Sequence, residues 1–391
     1  MTRIRPNFLS DARVQHVFDL LGPLGGGYVV GGAVRDSLLG LNPKDVDFAT
    51  PAEPDVVMRT LREAGHTPIP LGIEYGVVAV SIQGETFEIT TFRHDVVTDG
   101  RRAVTRWGSS LEDDAVRRDL TINALYMDRE GDVIDVVGGL EDIEARRIRF
   151  VGDADTRIRE DRLRALRMFR FWARFGDPDP SVHAEAIAAA SKFAGDMSVL
   201  SRERVGHEVV GILSAVAART PVRTMIEVGL WEDVLPGTDA DRLMDAIEDD
   251  GTAPSHARVL ARIAAAGADP KTALKLTSKA AKFVDLVKAS MHQEDAAVTA
   301  WRHGEGVATE ATFLRRAFGL PVPDDVEDRI RRGANAKFPL AAADLPHLKG
   351  KELGDALREA QQNWVLSDMR ADAAELLRIR EQNAFGSGPA M

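Results

Sequence analysis

Residues 31–50 constrain the fold of this 391-residue chain more than any other stretch. A short apolar run, Tyr28-Val29-Val30, meets the glycine pair Gly31-Gly32, and an apolar-periodic segment then runs to Gly40. After Asn42-Pro43 comes Asp45-Val46-Asp47-Phe48. This order predicts a buried strand, a glycine turn, a short helix over residues 33–39 stopped at Gly40, and a second strand over residues 45–49. Strand alternation would put Asp45 and Asp47 on one face and Val46 and Phe48 on the other, so that two acids share a surface that can hold a divalent metal.

The flanking sequence extends this pattern into an α+β fold. Residues 11–21 and 55–64 read as amphipathic helices, and residues 77–82 and 86–92 as a hairpin around Gln83-Gly84-Glu85. In its second strand Phe87 and Ile89 face one way and Glu88 the other. Residues 93–114 are polar and charged and read as a long loop, residues 117–125 as a helix, and residues 133–137 as a last strand. Beyond about residue 160 every apolar period is helical. The predicted architecture is a head with a small mixed sheet and helices (residues 1–150), an all-helical neck (151–220), and a helical body and tail (221–391).

Composition narrows the chemistry. Cysteine is absent, which removes disulfides, thiol nucleophiles and cysteine-based zinc sites, so any metal must sit on oxygen or histidine. The net charge of -11 argues against a protein that coats nucleic acid non-specifically, while leaving room for a local basic groove. No apolar run reaches the roughly 18 residues a bilayer requires. Residues 1–6 carry two arginines with no apolar segment behind them. Neither membrane insertion nor secretion is indicated, and the cytoplasm is the expected compartment.

Gly31-Gly32 before a helix either makes a tight turn or lets the backbone approach a bound phosphate. Asp45 and Asp47 supply the oxygen ligands magnesium prefers, with phosphates and waters completing its shell. Glu88 could be a third acid on that face, although alternation with Phe87 and Ile89 accounts for it equally well. In Arg117-Arg118-Asp119 the arginines can fork onto phosphate and the aspartate can accept from a ribose hydroxyl, or the three can form a helix cap with surface ion pairs. Asn123, four residues beyond Asp119, would extend the polar site.

Residues 160–175 read as one helix with a basic stripe of Arg164, Arg167, Arg170 and Arg174 beside apolar Leu163, Leu166, Phe169 and Trp172. A solvated face with intrahelical ion pairs explains most of that stripe. Asp161 and Arg164, one turn apart, admit a sharper reading: one acceptor and one donor together match the exocyclic amine and ring nitrogen that adenine and cytosine share. Guanine and uracil carry a carbonyl beside a ring N–H and would leave polar groups unpaired.

Taken together these motifs resemble the class II tRNA nucleotidyltransferase and bacterial poly(A) polymerase family over roughly residues 28–213. The family pattern Gly-Gly-x-Val-Arg-Asp then Asp-x-Asp appears as Gly31-Gly32-Ala33-Val34-Arg35-Asp36 and Asp45-Val46-Asp47. Its Arg-Arg-Asp-x-Thr-x-Asn-Ala stretch is similar to Arg117-Arg118-Asp119 through Ala124, and its Glu-Asp-x-x-Arg motif to Glu160, Asp161 and Arg164. A later helix motif is similar to Glu203-Arg204-Val205 with Glu208.

The resemblance implies addition of C, C and A to tRNA 3′ ends from CTP and ATP. Asp45 and Asp47 would bind Mg2+, with Glu88 beside them as a catalytic candidate. The nucleotide-binding candidates are Gly31, Gly32, Arg35, Arg118, Asp119, Asn123, Asp161, Arg164, Arg167 and Arg170, and the body and tail would hold the tRNA acceptor arm. Residues 98–102 resemble the family's flexible loop, which favours full C-C-A addition. The alternatives are an enzyme adding A alone, a poly(A) polymerase, or an inactive RNA-binding module.

Overall fold

Alternating apolar residues in the first third of the chain assemble into one eight-stranded sheet. The structure, a computed structural model, describes residues 2–98, 102–108, 110–247, 254, 256–274, 276–293 and 295–386. Among the described residues there are ten strands: β1 Thr2–Arg3, β2 Tyr28–Val30, β3 Phe48–Thr50, β4 Pro68–Gly72, β5 Val77–Ile82, β6 Glu85–Thr91, β7 Arg93–Thr98, β8 Arg102–Trp107, β9 Leu125–Met127 and β10 Asp132–Asp135. The sheet runs β1-β10-β9-β2-β3-β6-β5-β4, and only the β3–β6 pair within it is parallel. Helices α1 Ala12–Leu21, α2 Gly32–Leu38 and α3 Pro54–Glu63 belong to the same head.

Strand alternation divides two cores. Val29, Phe48, Phe87 and Ile89 join Val17, Phe18 and Leu21 of α1 and Val57 and Leu61 of α3 on one face. Val30, Ala49, Phe92 and Tyr126 form a smaller cluster on the other.

Four expectations need correction. Asp45 and Asp47 precede the strand: β3 begins at Phe48, where pairing to Val29 and Ile89 starts, and Asp47 joins the ladder only through its carbonyl, which accepts from Val30 N–H at 2.9 Å. The loop expected over residues 93–114 instead carries the β7–β8 hairpin and helix α4, Leu111–Val116. At the centre of the proposed flexible loop, residues 99–101 lie outside the described residues.

The helix expected over residues 117–125 is a bend, a 3-10 turn over Thr121–Asn123, and the start of β9. The Asp119 carboxylate takes the Leu120 N–H at 2.8 Å, which competes with helical pairing. Finally, residues 160–175 form two helices, α6 Ala154–Glu160 and α7 Leu163–Phe175, after α5 Gly139–Glu144. Asp161 has φ -152° and ψ 109° at the break, and its carboxylate accepts from Leu163 N–H at 3.1 Å.

The chain divides into two compact units, Met1–Val234 and Leu235–Met391. The first continues through α8 Ala184–Ser191, α9 Arg202–Leu213, α10 Arg219–Glu227 and α11 Leu230–Val234. Helices α7 and α9 lie against each other, and Gly211 lets them close: a Cβ there would stand 2.5 Å from Cδ of Arg170. Among the described residues of the second unit every regular element is a helix, from Ala240–Ala246 to Ala373–Gly386. One of its cores joins Leu340, Ala360, Trp364 and Leu376, with Trp301 edge-on to Trp364. Among the described residues no helix is long and apolar enough to cross a membrane.

Candidate active site

Gly31 forms the corner of the site. It takes φ 67° and ψ -116°, a conformation open to glycine and costly for any other residue. Its N–H donates to the Leu125 carbonyl and its own carbonyl accepts from Arg35 N–H, each at 3.0 Å. A Cβ at Gly31 would stand 3.5 Å from the Asn123 carbonyl and 3.7 Å from Arg118 Nη1, so the turn looks onto the Arg118 guanidinium. Gly31→Ala is expected to lower the melting temperature by about 3–8 °C, from strain of about 1–3 kcal/mol. A midpoint within about 1 °C of the parent protein would show that the turn is unstrained.

The acids meet beside this turn. Parallel pairing of Phe48 with Ile89 sets the preceding residues, Asp47 and Glu88, side by side on the face away from the larger core. Asp45 and Glu88 are exposed and Asp47 is half-buried. Burial, then the like charges of Glu88 and Asp45, push the Asp47 carboxyl up to about 6, against the pull of Arg118. Among the described residues no cluster of three or more His, Cys, Asp or Glu side chains could hold a metal by itself. The Asp45–Asp47 pair is nonetheless all oxygen and carries excess negative charge, which fits a hard divalent cation whose remaining ligands are water and phosphate.

Asp119 and Asn123 come together as expected, through the 3-10 turn rather than a helix. Asn123 Nδ2 donates to Asp119 Oδ1 at 3.2 Å, and Asn123 Oδ1 accepts from Arg35 Nη1 at 2.5 Å, which fixes the amide orientation. Burial alone would raise the Asp119 carboxyl, but the charge and hydrogen bond of Arg167, with the Leu120 and Asn123 donors, hold it below the ordinary carboxylate range. Arg167 Nε lies 2.7 Å from Asp119 Oδ2.

Arg35 points into the protein. It is 6% exposed, bonded to Asn123 and Asp36, and its guanidinium carbon lies 5.0 and 4.5 Å from the ring centroids of Phe171 and Phe175. Its guanidinium is therefore committed to joining α2 to α7 and is not free for a phosphate in this arrangement.

The arginine stripe of α7 is partnered mainly outside its own helix. Arg170 Nε donates to Glu208 Oε2 of α9 at 2.6 Å, Arg167 approaches the same carboxylate at 3.9 Å, and Arg174 stands 4.0 Å from Asp36. Arg164 pairs with Glu160, four residues back at the end of α6, and also reaches the carbonyls of Arg157 and Arg117 at 3.2 and 3.4 Å. The Asp161 and Arg164 side chains are not bonded to each other: the Arg164 N–H donates to the Asp161 carbonyl at 3.0 Å, while Asp161 Oδ2 accepts from Arg204 of α9.

Sequence reasoning missed Asp114 and Tyr126. Asp114 is fully buried, and its two oxygens receive Arg117, Arg118 and the Tyr126 hydroxyl. Its spacing of three and four residues from the arginine pair is the signal that marks it.

Comparisons with known proteins place the chain among related sequences and structures. Residues 27–149 match the family described as the Poly A polymerase head domain. Over 378 residues the chain is 31% identical to CCA tRNA nucleotidyltransferase 1, mitochondrial, of Danio rerio, spanning 91% of this chain and 87% of that protein. A CCA-adding enzyme of Bacillus pumilus is 40% identical over 223 residues, 56% of this chain and 54% of that enzyme. The crystal structure of Bacillus stearothermophilus CCA-adding enzyme in complex with CTP is similar with TM-score 0.70 and 27% identity, covering 97% of this chain and 100% of the other.

Proposed function

The chain belongs to the CCA-adding tRNA nucleotidyltransferase family, and from that premise we propose that the surface around Gly31, Asp47, Arg118 and Asp119 is its catalytic centre. The protein adds C, C and A to tRNA 3′ ends without a template, from CTP and ATP, and releases pyrophosphate. The observation that carries the site assignment is the half-buried Asp47 carboxyl, crowded by Asp45 and Glu88 and facing the field of Arg118 across one glycine turn. A triphosphate arriving with its cation neutralises both signs of that charge.

In the reaction the terminal ribose hydroxyl attacks the α-phosphorus: a new O–P bond forms, the hydroxyl proton passes to water, the bond to the bridging oxygen breaks, and pyrophosphate leaves with the electron pair. The family is metal-dependent, and in our reading the ion is Mg2+ held by Asp45 and Asp47. When bound, it lowers the pKa of the attacking hydroxyl and offsets charge on the leaving group. Gly31 and Gly32 leave room for the nucleotide against the backbone, and Arg118 takes a phosphate oxygen. Asp119, kept ionised by Arg167 and oriented by Asn123, accepts from the ribose. Arg170 supports this line through Glu208.

Base choice is assigned to Asp161 as acceptor and Arg164 as donor. The same reading divides the chain into head, neck, and tRNA-holding body and tail, with the cytoplasm as its compartment; cell fractionation tests the latter against the mitochondrial location of the zebrafish relative.

Incubation of the pure protein with each of the four nucleotides and with tRNAs truncated by one, two and three residues tests the function. Two cytidines followed by one adenosine, with UTP and GTP refused, is the expected result. Adenosine alone, or an adenosine tail of indefinite length, would identify an A-adding enzyme or a poly(A) polymerase. Binding of tRNA without incorporation would identify an inactive RNA-binding module.

A further inference from the structure

Two elements converge on the Arg118 guanidinium. From α4, Asp114 Oδ2 accepts from Arg118 Nη2 at 2.9 Å and from Nε at 3.2 Å. From β9, the Tyr126 hydroxyl accepts from Arg118 Nε at 3.1 Å and donates to the same Asp114 oxygen at 2.6 Å. The tyrosine ring stands 5.3 Å from the guanidinium carbon, and neither Asp114 nor Tyr126 is exposed. The other Asp114 oxygen is held by Arg117 and, at 3.4 Å, by the Arg93 N–H. Arg118 Nη1 takes part in none of these bonds, and it is the atom that looks toward Gly31.

This arrangement fixes one proton order. Burial pushes the Tyr126 phenol well above its ordinary range, so it remains a donor to Asp114 while accepting from Arg118. Asp114 meets two arginines with a single negative charge, so net positive charge remains on the side that faces the turn. A phenylalanine at position 126 would fill the same space but could neither donate to Asp114 nor accept from Arg118. The hydroxyl is thus spent on orientation, beyond what packing requires.

We infer that Asp114 and Tyr126 are positioning residues for nucleotidyl transfer: they fix the rotation of the Arg118 guanidinium so that its Nη1 edge is presented to a phosphate oxygen of the incoming nucleotide at the Gly31 turn. The inference rests on the reading of Arg118 as a phosphate contact given above. An untethered arginine would lose side-chain freedom at every binding event, whereas here that freedom is lost on folding.

Steady-state kinetics on Arg118→Ala, Tyr126→Phe, Asp114→Asn and the double variant Arg118→Ala/Tyr126→Phe test it. Tyr126→Phe is expected to raise KM for CTP and ATP about three- to ten-fold, with kcat within about two-fold and KM for tRNA unchanged. Asp114→Asn should raise the same constant by about ten- to a hundred-fold, and if it fails to fold, Tyr126→Phe carries the test alone. In the Arg118→Ala background the tyrosine change should add nothing, because its effect runs through the missing guanidinium. An equal factor in both backgrounds, or a parental KM in Tyr126→Phe while Arg118→Ala is impaired, overturns the positioning role. A parental nucleotide KM in Arg118→Ala overturns instead the phosphate-contact reading beneath it.

Discussion

Asp47→Asn is expected to lower kcat for nucleotide incorporation by about 10³-fold or more while raising the melting temperature of the metal-free protein by ~2–4 °C. The two effects have one origin. The Asp47 carboxylate is half-buried and crowded by Asp45 and Glu88, so its charge works against the folded state. The amide keeps the shape, removes that repulsion, and removes a ligand suited to magnesium. Affinity for tRNA should stay within about two-fold, because no base or backbone contact is assigned to this carboxylate. Glu88→Gln should give the smaller loss, about ten-fold, since Glu88 is exposed and contributes mainly through its field on Asp47. Incorporation kinetics and a thermal melt on the same preparations check both halves. Parental turnover in Asp47→Asn would remove this residue from the chemistry, and a lower melting temperature would remove the electrostatic argument.

The chemistry of the head was legible wherever local pattern and tertiary pairing agree. Tyr28–Val30, the β5–β6 hairpin and helices α1 to α3 have apolar periods that match the core they enter. The early start predicted for β3 came from reading alternation alone, which cannot tell an extended approach to a strand from a paired strand. β4 was hidden because Pro68 and Pro70 argue against a strand, a rule that edge positions relax. The α+β division and the helical second half followed from period changes that span tens of residues and are robust to such local errors.

The contacts that join the candidate residues were not legible in the sequence. Asp119 and Asn123 were placed together on a helix that does not form; an aspartate that bonds the next backbone N–H produces the same proximity in a 3-10 turn. The stripe of α7 was read as a largely solvated face, because periodicity records spacing along one helix. The partners of Arg167 and Arg170 lie 48 and 38 positions away, at Asp119 and Glu208, and no local window contains them. Arg35 was grouped with nucleotide contacts by its neighbours in sequence, while Phe171 and Phe175, which enclose it, come from a helix over a hundred residues later.

Base selection gives the second large effect. Arg164→Ala should reduce the preference for CTP over UTP, and for ATP over GTP, by about 10²-fold or more in kcat/KM. In the structure Asp161 is occupied by Arg204 and the Leu163 N–H, and Arg164 by Glu160 and two carbonyls. A base with an exocyclic amine and a ring-nitrogen acceptor can replace Arg204 on the one and Glu160 on the other, so that the base edge is matched while exposed Arg204 turns to water and Glu160 keeps Arg157. Uracil or guanine would set a carbonyl against Asp161 and an N–H against Arg164, so two like groups would face each other at each position, which is where the discrimination arises. Removing Arg164 deletes one of those penalties and one of the matching bonds, so the correct nucleotides should slow while the wrong ones gain relative to them. Glu160→Gln, which loosens Arg164 without removing it, should leave the preference intact. Competition between CTP and UTP on one truncated tRNA measures the ratio directly. An unchanged ratio in Arg164→Ala would take base reading away from this pair while leaving Asp45 and Asp47 in their assigned role, because the two tasks are carried by different elements of the fold.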